Sequence, residues 1–65
     1  MTIDNQIKKL RIEKNITQEE LGHVLNVSRQ TIIAIEKGNY TPSLLLAMQT
    51  AKFFKLPVEK IFILK

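Results

Sequence analysis

This chain of 65 residues is expected to fold as a single all-α domain of short helices, and three observations carry that expectation. Apolar residues recur at three- and four-residue spacing along most of the sequence. Helix-start signals recur at Thr17, Ser28 and Thr41-Pro42, each just ahead of an apolar-periodic run. Gly and Pro occur only twice each, so they punctuate the chain without forming a linker. There is no internal repeat or low-complexity tract, and a domain of this size buries only about 60% of the surface its unfolded chain exposes.

Helix one is expected over about residues 5–14, with Asp4 as its amino-terminal cap, Ile7, Leu10, Arg11 and Lys14 at helical spacing, and Asn15 as a left-handed stop. Helix two is expected over 18–25. Thr17 and Glu20 form a capping box, Ile16 and Leu21 occupy the hydrophobic-staple positions, and Leu21, Val24 and Leu25 are assigned inward. Asn26 then ends the helix with positive φ. Helix three is expected over 29–37, capped by Ser28, with Ile32, Ile35 and Glu36 on one face and Gly38 as the stop. Helix four is expected over 42–55 from Thr41-Pro42, with Leu44, Ala47, Met48, Ala51 and Phe54 as its inward stripe. Leu56-Pro57 stops it, and Pro57 opens a fifth helix over 57–62. The ends, MTI and IFILK, are β-compatible and suited to pairing as a small ribbon.

Composition narrows the function. With no Cys and a single His, the chain has no disulfide framework and no metal site, which fits an intracellular, cytoplasmic setting. No apolar run approaches the ~20 residues needed to cross a bilayer. Ten Lys and Arg against six Asp and Glu leave a formal charge of +4, which favours a polyanionic partner without identifying one. His23 falls on the outward face of helix two, and Glu19 and Glu20 read as first-turn helix acids. No catalytic triad, paired carboxylates or phosphate-binding glycine loop is present, so neither an enzyme nor a cofactor site is expected.

The two short helices from Thr17 to Gly38, joined by a tight turn and separately capped, match a helix-turn-helix unit, whose second helix enters the DNA major groove by its amino-terminal end. Gly22, in the middle of helix two, is costly there unless something approaches it closely, and another helix is the expected neighbour. With Ile32 and Ile35 inward, Arg29, Gln30, Ile33 and Lys37 turn outward, with Ala34 beside them. Arg suits guanine O6 and N7, Gln suits adenine, and Ile suits a thymine methyl. Gln18 and Ser28 lie at helix starts where phosphate is welcome. Lys37, Asn39, Tyr40 and Ser43 belong to a polar loop suited to backbone contact on the other side of the groove. Arg11 and Glu36 interrupt apolar stripes on helices one and three, which predicts a structural ion pair between them.

TQEELGHVLNVSRQTIIAIEKGNYTPS resembles the core of the XRE-type, or phage Cro/repressor-like, helix-turn-helix family, and LLLAMQTAKFFKLPVEKIF matches its last helices. The likeness covers about residues 6–62. It implies a five-helix, lambda-repressor-like fold, double-stranded DNA as partner, and commonly a homodimer on a palindromic operator. In short forms of the family the chain termini form a two-stranded sheet. The resemblance further implies that Gln18 contacts phosphate and supports Arg29, that Arg29, Gln30, Ile33 and Ala34 face bases, and that Arg11 pairs with Glu36. Asn26 stands where the family frequently has Gly, and the apolar Ile33 and Ala34 prevent transfer of an operator sequence from relatives. The expected reading is a transcriptional repressor with no small-molecule effector; an antitoxin or protein-interaction module on the same scaffold is the alternative. Val58 and Ile61, with Leu46, Phe53 and Ile63, are the expected interface between two copies.

Overall fold

The computed structural model describes residues 2–65; Met1, which opens the expected amino-terminal strand, lies outside them. The elements run β1 (Ile3–Asn5), α1 (Ile7–Glu13), α2 (Gln18–Leu25), α3 (Arg29–Glu36), α4 (Leu44–Phe54), α5 (Val58–Ile61) and β2 (Phe62–Leu64). The five helices are those expected, with α1, α3, α4 and α5 shortened at their ends.

The strands pair antiparallel, with Ile3 opposite Leu64, Asp4 opposite Ile63 and Asn5 opposite Phe62. A ribbon this small is marginal by itself. It is extended by mutual hydrogen bonds between Thr2 and Lys65, and by Gln6 N–H donating to Ile61 O at 2.8 Å, while Phe62 packs on the core. Recruitment of residues 3–5 into the ladder also corrects the expected start of α1. Asp4 lies in β1, its carboxylate 3.0 Å from the Lys65 ammonium. The N-cap position falls on Gln6, which makes no side-chain cap bond; Asn5, one residue earlier, accepts the Ile7 N–H on its Oδ1 at 3.1 Å.

The other starts follow the side chains that can accept a first-turn N–H. Thr17 and Glu20 form the reciprocal capping box, at 3.0 and 2.8 Å. Ser28 Oγ accepts from Thr31 N–H at 3.1 Å. For α4 the cap is Ser43, which accepts from Leu46 N–H at 3.1 Å, so Thr41 and Pro42 belong to the loop before it. The first four helices end alike: a residue with positive φ, namely Asn15, Asn26, Gly38 or Lys55, and a following N–H that reaches back five residues to a carbonyl of the last turn. Lys55 as the stop of α4 has no counterpart in the sequence reading.

Ile7, Leu21, Leu25, Ile32, Ile35, Leu46, Phe54 and Ile61 form one core, to which every helix contributes. Burying a side chain of this size stabilises by about 1.5–3 kcal/mol relative to leaving it in water. Three expectations change here. Val24 is 51% exposed, because Leu21 and Leu25 fill the inward face of α2. In α4 the buried side is Leu46, Ala47, Thr50 and Phe54, whereas Leu44 and Met48 are 75% and 57% exposed. Thr50 is admitted because its hydroxyl donates to Leu46 O at 2.7 Å. Finally, Leu46 and Ile61, expected between two copies, are 6% and 0% exposed within one chain; their surface is already used by the core.

Candidate nucleic-acid interface

The turn between α2 and α3 depends on two residues. Asn26 adopts φ 58°, which reverses the chain without glycine. Gly22 supplies room: a Cβ there would lie 2.8 Å from Val27 O. The close neighbour is thus the backbone of the turn, where another helix was expected. Val27 N–H in turn donates to Gly22 O at 2.8 Å. These contacts bring Ser28, and with it the start of α3, hard against α2.

Behind α3 a polar network fixes its carboxyl end. Arg11 Nε donates to Glu36 Oε2 at 2.7 Å and Nη2 to Oε1 at 3.3 Å. Arg11 Nη1 donates to Ile16 O at 3.0 Å, and Gln18 Nε2 donates to Glu36 Oε1 at 3.1 Å. The Arg11 and Glu36 side chains are 11% and 4% exposed. The predicted pair is therefore present and is the centre of a knot between α1, α2 and α3. Two opposed effects meet at Glu36: a carboxylate at a helix carboxyl end is unfavourable, and the guanidinium neutralises it. Asn5 adds a second anchor that sequence reasoning missed. Its Nδ2 donates to Ile35 O at 2.8 Å, tying β1 to the last turn of α3. That Asn is as good a cap as Asp was the available signal for half of this role.

With its inner side held, α3 presents Arg29, Gln30 and Lys37 exposed, and Ile33 and Ala34 half-buried. Arg29 also lines an open hollow of about 570 Å³ with Arg11, Thr17, Gln18 and Glu19 at the start of α2. Asn39, Tyr40 and Ser43 are exposed in and after the loop leaving α3, while Ser28 is exposed at its start. From residue 21 to residue 58 the only acid is Glu36, and Arg11 neutralises it inside the fold. The outer surface of this stretch consequently carries no carboxylate to repel a polyanion. Of the residues expected to meet DNA bases, all lie on one side of α3; those expected to meet backbone flank it at both ends.

A helix-turn-helix family model matches residues 7–61. The chain belongs to the XRE-type helix-turn-helix family. It is 59% identical over 59 residues to the HTH-type transcriptional regulator MJ0272 of Methanocaldococcus jannaschii, covering 91% of this chain and 89% of that protein. It is 48% identical over 58 residues to the HTH-type transcriptional regulator YgzD of Bacillus subtilis, covering 89% and 88%. It is also 33% identical over 57 residues to the cryptic phage CTXphi transcriptional repressor RstR of Vibrio cholerae, covering 88% of this chain and 51% of RstR. In helix-turn-helix units generally, the second helix of such a pair lies in the DNA major groove and the first crosses the backbone. No described helix is long and apolar enough to cross a membrane.

Proposed function

We propose that the protein is a sequence-specific regulator of transcription, a repressor that binds double-stranded DNA in the cytoplasm as a homodimer on a palindromic operator. The observation that carries this reading is the outward side of α3, where Arg29 and Gln30 are exposed at the amino-terminal end of a helix whose one carboxylate, Glu36, is paired with Arg11 inside the fold. Arg29, Gln30, Ile33 and Ala34 face base edges in the major groove, and Gln18, Ser28, Lys37, Asn39, Tyr40 and Ser43 hold the flanking phosphates. Gln18 uses one amide hydrogen on Glu36, so its second remains for phosphate beside the unpaired N–H groups of the first turn of α2. Repression, as distinct from activation, is taken from the likeness to the phage repressor RstR.

The size of one chain supports two copies on an operator with two half-sites. One chain is 30 Å in its longest dimension and carries one α3, whereas successive major grooves on one side of a duplex lie about 34 Å apart. Apolar surface supports a dimer as well. Leu44, Leu45 and Met48 are 75%, 68% and 57% exposed along α4, and Val58 and Ile63 are half-buried nearby in sequence to the core residue Ile61. The half-buried Phe53 is partly satisfied within the chain, by Phe54 at 5.0 Å between ring centroids and by the Lys14 ammonium at 5.3 Å. The exposed α4 strip also favours a protein-interaction module; in this reading a second copy covers it.

Selection of bound duplexes from a random pool tests the proposal. The expected result is an enriched sequence with two-fold symmetry and a spacing of one helical turn between half-sites. Recovery of unenriched DNA, with affinity set by salt alone, would refute sequence-specific regulation.

A further inference from the structure

We infer that Ile33, with Ala34 beside it, reads thymine through its C5-methyl group, so that each half-site carries thymine at the base pairs under the middle of α3. This rests on the proposal that α3 lies in the major groove and names the chemical group read there.

Three observations lead to it. Ile32 and Ile35 are 0% and 2% exposed, and Ile33 stands about 100° around the helix from Ile32. Among the described residues, the half-buried apolar side chains that pack on the core are Leu10, Ile16, Val27, Ala51, Phe53, Leu56 and Phe62. Ile33 and Ala34 are half-buried without belonging to that group. Ile33 is also the apolar centre of an i, i+4 stripe whose ends, Arg29 and Lys37, are both exposed cations. On a duplex the cations of such a stripe are satisfied by phosphate or guanine, while its centre has no donor or acceptor to offer. An apolar side chain pressed on the amino or carbonyl groups of a base edge would leave them without partners. The thymine methyl is the only methyl group on the major-groove edges and the apolar group that stands out furthest from them. Ile33 accordingly does two things at once: it contacts that methyl, and it disfavours an amino or carbonyl group at the same position.

The test begins with the duplex selected from a random pool. Each thymine is replaced singly by deoxyuridine, which removes the methyl and leaves every hydrogen-bonding atom. Affinity is measured for the wild-type protein and for Ile33→Ala. One or two thymines in each half-site should lose about fourfold in wild-type affinity when demethylated, as expected for one buried carbon, and the same replacements should be nearly neutral for Ile33→Ala. A selected operator on which every uracil is neutral for the wild-type protein would overturn the inference, and this arm requires no variant to fold. Equal uracil penalties in wild type and Ile33→Ala would likewise overturn it, because the methyl would then be read by another residue. A pool that yields no preferred sequence would instead remove the reading of α3 as a DNA reader, and this inference with it.

Discussion

Arg11 and Glu36 show how a charge can be structural on a protein whose outer surface is tuned for a polyanion. Glu36 is 4% exposed, is held by both Arg11 and Gln18, and sits in the last turn of α3, so losing its partner leaves an uncompensated carboxylate in a poor dielectric. Replacing Arg11 with Met should therefore destabilise the fold by about 3–5 kcal/mol, whereas the pair Arg11→Met with Glu36→Leu should recover most of that loss. Urea melts of the two single variants and the double variant provide the cycle; additive losses would mean that the charges do not interact. Asn5 offers a second case. Asn5→Ala removes the acceptor for Ile7 N–H and the donor to Ile35 O together, and a loss of about 1–3 kcal/mol in thermal or denaturant melts is expected. The pair was legible in sequence because each charge breaks an apolar stripe. The reach of Asn5 to Ile35 was not, since no local pattern links residues so distant in the chain.

At the scale of elements, sequence signals were clearest where they are local and redundant. Thr17 with Glu20, Ser28 with its following turn, and the left-handed Asn15, Asn26 and Gly38 each act through neighbours a few residues away. The face of α4 was ambiguous for a physical reason: Leu44, Leu45 and Leu46 are consecutive, so apolar spacing fits two orientations. The choice falls to Thr50, which enters the core by bonding its own helix at Leu46 O, and that choice exposes Leu44 and Met48. The end of α4 was equally hidden, because Lys55 holds φ 57° with neither the freedom of Gly nor the local hydrogen bonding of Asn. Relief of that conformation should outweigh the larger unfolded-chain entropy of glycine, so Lys55→Gly should stabilise the protein by roughly 0.5–1 kcal/mol. A higher melting temperature with unchanged helical circular dichroism is the expected readout.

The whole molecule divides its surfaces by use: a core shared by five helices, a cationic side built on α3, and an apolar strip on α4. If that strip joins two copies, Leu45→Glu with Met48→Glu should give a folded monomer in sedimentation at tens of micromolar, and operator affinity should fall steeply because each half-site then binds alone. Ile61→Glu should behave differently and unfold the chain, as its side chain is 0% exposed in the monomer. The central claim is that the exposed end of α3 reads base identity, and the most direct measurement of it compares wild type, Arg29→Ala and Gln30→Ala on the selected operator and on its complete set of single-base-pair variants. Each substitution should remove about 1–3 kcal/mol of discrimination at its own base pair and leave preferences elsewhere intact. Uniform weakening on every duplex, with the pattern of base preferences unchanged, would contradict the account.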